Sequence, residues 1–176
     1  MRFQTIFWSG GEMLNPTDAV LESWDRHNTI ITNLVREMPE NGLDARATDS
    51  GWTVAYQLAH MHGARVGWLE KVAPEFAVNL PWLYTEENEQ YIPEKTPSVI
   101  VAAFNASAKA LASAVKSRVE THKGLDGVYS HPIHYLEHML WHEAYHVGQI
   151  MLALKITGHL FEEEQTDTLI WEVWKS

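Results

Sequence analysis

The chain has 176 residues, 45 % of them apolar and 19 of them aromatic (eight Trp, six Tyr, five Phe), a length and composition that predict one domain with a full core. Acidic residues outnumber basic ones 23 to 13, for a formal charge of −10, and no Lys/Arg cluster stands out, which argues against nucleic-acid and anionic-membrane partners. Cysteine is absent, so disulfides, thiolate ligands and a Cys nucleophile are excluded, and any metal must be held by His with carboxylate or carbonyl oxygen.

Residues 1–15 read as an irregular N-terminal extension, broken at Gly10-Gly11, ahead of a domain over 16–176. Their apolar run is too short for a signal sequence, and no segment approaches the length of a membrane span, so cytoplasm is the expected location. A first helix is predicted from Thr17, as N-cap, to about Met38, with Pro39 ending it; Trp24, Ile31, Leu34 and Val35 mark its apolar face. A turn-rich connection follows from Asn41-Gly42 to Gly51.

Thr53 can cap a second helix from Val54 to about Ala73, stopped by Pro74 and carrying His60 and His62. Residues 74–95, with three prolines and the acidic run Glu86-Glu87-Asn88-Glu89, read as a long connection. Thr96 and Pro97 then open a third helix to about His122, rich in Ala and Ser.

The fourth predicted helix spans His131 to Gly158. Ser130 or His131 serves as N-cap, Pro132 sits in the first turn, and Gly158 stands where a left-handed C-terminal cap belongs. An acidic and then aromatic tail follows, expected to pack over the helices or a second subunit. No segment has a convincing strand period. Four helices of this length predict an all-α four-helix bundle. The links between helices 1 and 2 and between 3 and 4 are short enough for antiparallel neighbours. The link between 2 and 3, about 22 residues at about 3.3 Å each, is long enough to return along a helix of about 30 Å, which predicts an up-down-down-up course.

The fourth helix carries a column of imidazoles. His134, His138, His142 and His146 are four residues apart and share one face, and Gln149 continues the line. Two His at this spacing can grip one cation. His142 and His146 lie in the apolar part of the helix and are the favoured pair; His134 and His138 are expected on a solvated stripe. A third ligand should come from a facing helix. Helix 2 offers His60 and His62, and the helical wheel places His62 nearer the middle of the apolar face.

Gly51-Trp52-Thr53-Val54-x-x-x-Leu58-Ala59-His60 on helix 2, with Trp141-His142-x-x-x-His146-x-x-Gln149-Ile150 on helix 4, resembles the DinB/YfiT superfamily. The resemblance covers both motifs, their order and nearly the whole domain. It implies an up-down-down-up bundle holding one divalent metal, zinc or nickel or in some cases iron, through His60, His142 and His146. The eight-residue step from Trp52 selects His60 over His62, which stays the fallback. Gln149 falls where some relatives have a further His and is placed in the pocket or behind the ligands. The better-understood relatives imply metal-dependent chemistry on a small-molecule substrate with a low-molecular-weight thiol, such as bacillithiol or mycothiol, and often a homodimer. Three neutral imidazoles leave a coordination position open for a thiol or for a water, so thiol transfer and hydrolysis both fit.

Three rival readings use the same residues. His142-Glu143-Ala144-Tyr145-His146 matches the H-E-x-x-H motif of zinc peptidases, with Glu143 as general base. Position 149 is Gln and position 152 is Leu, so the extended form of that motif is missing. A di-iron carboxylate site needs Glu-x-x-His twice, and only Glu143/His146 has that spacing. A non-enzymatic metal-binding module is the third, and a closed site with four protein ligands would mark it. Tyr56 and Arg65 flank the expected site on helix 2 and are candidates for a substrate carboxylate.

Overall fold

Asn15, rather than Thr17, caps the first helix: its side-chain oxygen accepts from the Asp18 backbone N–H at 3.0 Å, and Pro16 follows at the first helical position. Proline fits there because its missing donor is one the helix would leave unpaired. The computed structural model describes residues 15–125 and 127–175; the extension expected over the first 14 residues lies outside them. Four long helices dominate: α1 (Pro16–Arg36), α2 (Val54–Val72), α3 (Pro97–Glu120) and α4 (Ile133–Ile156). Each begins or ends within a few residues of its predicted bounds.

The caps account for those bounds. Thr53 Oγ1 accepts from the Tyr56 N–H at 3.2 Å and sets the start of α2. α4 ends in a Schellman arrangement: the His159 N–H donates to the Leu154 carbonyl at 2.8 Å, and Gly158 takes φ +77°. At the start of α4, Pro132 precedes the first helical residue rather than opening the helix, and His131, one of the two expected caps, accepts from the Ile133 N–H through Nδ1 at 3.2 Å.

The connection between α2 and α3 is not strand-free. It carries an antiparallel hairpin, β1 (Tyr84–Glu87) with β2 (Gln90–Pro93), closed by the two-residue turn Asn88-Glu89 with φ 51° and 62°. Positive φ at both turn residues gives the twist that suits a tight hairpin. All eight strand residues, Tyr84–Glu87 and Gln90–Pro93, are exposed or only partly buried, so the acidic sequence shows no two-residue apolar period there. The expectation of an all-helical chain is corrected to that extent.

α1 packs along α3 and α4, and α2 along the same two helices, so the short α1–α2 link does not make those two extended neighbours. The small residues of α3, among them Ala103, Ser107, Ala108 and Ala114, are buried and let the backbones come close. Those alanines also give α3 the length and apolar composition to cross a membrane, contrary to the expectation that no segment does. In the fold 44 % of that apolar window is buried against the other helices. The C-terminal segment, a short helix α5 (Glu163–Thr166) followed by a π turn and a 3-10 turn, lies along α1, where Leu169, Ile170 and Val173 pack on the core.

The apolar interior falls into two clusters, one around Phe104, Leu58 and Ile150, the other around Trp24, Leu111 and Leu136. Between them lies a buried polar layer to which all four helices contribute: His27 and Asn28 from α1, Arg65 from α2, Ser107 from α3 and Glu143 from α4. This layer stands beside the residues that form the candidate site.

Candidate metal centre

The phase that Thr53 sets for α2 turns Gln57 and His60 towards α4 and sends His62 into the interior. His60 Nε2 and His142 Nε2 then face each other at 3.2 Å across the α2–α4 gap. His146, one turn beyond His142, completes a cluster in which one ring nitrogen from each residue lies within 4.8 Å of the other two. Among the described residues no carboxylate and no fourth imidazole joins these three.

The donor chemistry fits a divalent cation. Two nitrogens bound tetrahedrally at about 2.0–2.1 Å from zinc are about 3.3 Å apart, close to the His60–His142 separation, and the widest pair needs to close by at most about 1.5 Å. His146 Nδ1 lies 3.4 Å from Gln57 Oε1, an arrangement in which Nδ1–H donates and the Nε2 lone pair is left for the cluster. Burial lowers the pKa of all three imidazoles. For His146, burial and then the neighbouring His142 and His60 rings bring it down to about 4. The rings are therefore neutral at pH 7, with lone pairs available.

His62 is elsewhere. It is fully buried, its Nε2 donates to the Ala103 carbonyl at 3.2 Å, and its ring meets Phe104 edge-on. The helical wheel located the deepest histidine of α2, and depth is what removes it from the cluster. His138 bonds through Nδ1 to the Tyr129 hydroxyl at 2.8 Å and packs against Trp68, while His134 is exposed.

Arg65 and Glu143 belong to the polar layer. The guanidinium is fully buried between Trp24 and Phe104, and it donates to both carboxylate oxygens of Glu143, to Asn28 and to the Phe104 carbonyl. It does not line the cleft beside the cluster. Glu143 also accepts from His27 Nε2 at 2.9 Å. Burial alone would raise its pKa, but the Arg65 charge and hydrogen bonds hold it well below the usual carboxylate range. A carboxylate so committed faces the interior, away from the base position that the H-E-x-x-H reading gives it.

Tyr56 is partly buried on the outer side of the cluster and meets Tyr84 edge-on. Gln149 is half-buried one turn past His146. Other neighbours were not anticipated. Trp52, half-exposed, lies over Tyr56, His60 and His146, with its plane 10° from that of His146. Gln57 could have been found, because it sits one turn before His60 on the same face. Tyr84 and Trp82 come from the α2–α3 connection and have no local signal. They wall a cleft of about 490 Å³ into which His60 and His142 open.

The cluster therefore unites the two motifs, Trp52 to His60 and His142 to His146, that are separated in sequence by more than eighty residues. Comparison with curated proteins finds no match, and comparison with solved structures finds none. The sequence pattern of the DinB family matches residues 13–174, which takes in both motifs and all four long helices, and the chain belongs to that family.

Proposed function

We propose that His60, His142 and His146 hold one divalent ion, zinc or nickel first and iron as a further option, and that the protein is a metal-dependent enzyme acting on a small molecule with a thiol. The observation that carries this is the meeting of two imidazole nitrogens at 3.2 Å, with a third within 4.8 Å and no acidic residue among them. A cation bound there supplies Lewis acidity, which makes a coordinated thiol or water a nucleophile near neutral pH.

The protein's own groups have separable tasks. Gln57 keeps the proton of His146 on Nδ1, burial keeps all three rings neutral, and Trp52 covers one side of the cluster. Three protein ligands rather than four favour an open site over a structural one. The cleft at His60 and His142 gives a substrate its approach. The thiol reading is preferred to a peptidase because Glu143, the carboxylate that the peptidase reading needs as its base, is bound to Arg65 and His27.

The up-down-down-up course belongs to the same proposal and is supported by the order of cross-helix contacts. Trp24 reaches Ala108 and Asn28 reaches Asn105, so α1 runs against α3. His62 meets Ala103 and Arg65 meets Ser107, so α2 runs with α3. Gln57 meets His146, His60 meets His142 and the Tyr135 hydroxyl meets the Arg65 carbonyl, so α4 runs against α2.

Elemental analysis of purified protein beside His60→Ala, His62→Ala and His146→Ala tests the assignment. The first and third lose stoichiometric metal and the second keeps it. Equal retention by all three removes the site.

A further inference from the structure

One face of α2 continues from the cluster as a groove. His60, Gly63, Ala64, Gly67, Trp68 and Lys71 all line the cleft, following the three- and four-residue steps of a helical stripe. From His60 to Lys71 the stripe covers about 16 Å of helix axis. The floor is low because the two glycines have no side chain. A Cβ on Gly63 would lie 3.4 Å from the Trp82 ring, and one on Gly67 would lie 4.0 Å from it. Trp82 is half-exposed and stands over this floor as a wall, with Tyr84 beside it.

The far end carries a positive charge. The Lys71 ammonium lies 4.9 Å from the Trp68 ring centre, and the Trp68 ring is itself braced by Tyr129 and His138. Among the described residues no carboxylate comes within ion-pair distance of Lys71, in a chain with ten more acidic than basic residues. Its charge is thus available to a ligand lying in the groove. A volume of about 490 Å³ is that of a site for a drug-sized molecule.

We propose that this groove selects an elongated organic anion: a thiol head at the His60–His142–His146 cluster, a flat apolar middle laid along the α2 stripe beside Trp82, and a carboxylate-type tail at Lys71. The aromatic walls fit a planar middle; a thiolate head would take the cation at the cluster and the Lys71 ammonium would hold the carboxylate at the other end, which sets the direction of binding. This assignment of ligand class rests on the metal reading above.

The test uses the full-length protein loaded with cobalt(II), whose charge-transfer absorption reports thiolate coordination. Cobalt content and visible bands are recorded for each variant first. The probes are 4′-mercaptobiphenyl-4-carboxylate, its neutral carboxamide and 2-mercaptoethanol. The carboxylate is expected to bind about fivefold more tightly than the carboxamide, as one partly exposed ion pair allows, with the preference shrinking in high salt. Lys71→Met levels the two, and Gly67→Leu weakens both biphenyl thiols at least about tenfold by filling the floor.

Equal affinity of acid and amide for the unsubstituted protein overturns the proposal, as does an undiminished preference in Lys71→Met or unchanged binding in Gly67→Leu. In each of these cases coordination of 2-mercaptoethanol by the unsubstituted protein leaves the metal reading standing. Failure to load cobalt, or to coordinate any of the thiols, removes that reading and this one with it.

Discussion

Arg65 and Glu143 meet as a doubly hydrogen-bonded pair in the polar layer, Nε to Oε1 at 2.6 Å and Nη2 to Oε2 at 2.7 Å, with both side chains fully buried. The pair joins α2 to α4 beside the His60–His142 contact, with Arg65 just over one turn past His60 and Glu143 directly after His142. Burying two charges costs several kcal/mol, which this geometry and the added contacts to Asn28, His27 and the Phe104 carbonyl offset. Removing one partner leaves the other charge without compensation.

Arg65→Met is accordingly expected to destabilise the protein by about 3–5 kcal/mol. The double variant Arg65→Met/Glu143→Leu should lose less than that single change, because no buried charge is left. Guanidinium unfolding of the metal-free proteins measures both. A double variant less stable than Arg65→Met would show that the hydrogen bonds, not charge compensation, hold this layer together.

The Gln57–His146 contact gives a prediction of a different kind. Groups that fix the tautomer of a metal-binding imidazole are worth about 10–100-fold in affinity. Gln57→Leu keeps the volume, removes the acceptor of the Nδ1 proton, and should weaken zinc binding within that range while the protein stays folded. Competition with a chromophoric chelator reads the change. An unaltered constant would mean that the 3.4 Å contact does not orient the ring.

Much of this arrangement is legible in the sequence because its signals are local. Thr53, Pro97 and Gly158 mark helix ends through the chemistry of their own backbones, and His142 and His146 share a face by spacing alone. Other features depend on partners far along the chain. Nothing near Arg65 says that it is buried, since the carboxylate that permits this is 78 positions away. An apolar wheel cannot separate His60 from His62, because it measures depth and a ligand needs an open edge. The hairpin escaped notice because its strands are largely solvated and follow no alternating pattern.

Alkaline stability follows from Tyr135. Its ring is fully buried and its hydroxyl donates to the Arg65 carbonyl at 3.0 Å; burial, followed by the neighbouring Tyr129, pushes its pKa above the usual tyrosine value of about 10. A group whose folded pKa is raised stabilises fully below its unfolded pKa, and that contribution is lost as pH rises above it. Stability should therefore hold from pH 7 to about 9 and fall above about 10. Tyr135→Phe should cost about 1 kcal/mol at pH 7, for the lost hydrogen bond, and flatten the alkaline fall. Urea unfolding across that range tests it; an unchanged slope in the variant would place the loss on Tyr84 or Tyr129, whose pKa values are also raised by burial.

Two glycines of α4 and its cap should respond to the same substitution with opposite signs. Gly158 has φ +77°, a conformation in which an alanine Cβ crowds its own carbonyl, and its N–H and that of His159 close the helix end. Gly158→Ala is expected to destabilise by about 1 kcal/mol. Gly148 lies inside α4 with helical φ, and a Cβ there meets no atom within 4 Å. Gly148→Ala should therefore stabilise by about 0.5–1 kcal/mol, since alanine loses less backbone freedom on folding. Thermal unfolding of the two variants beside the parent gives both signs. A loss of stability in Gly148→Ala would mean that the open face of α4 around Trp141 and Tyr145 is covered in solution by something a methyl group disturbs.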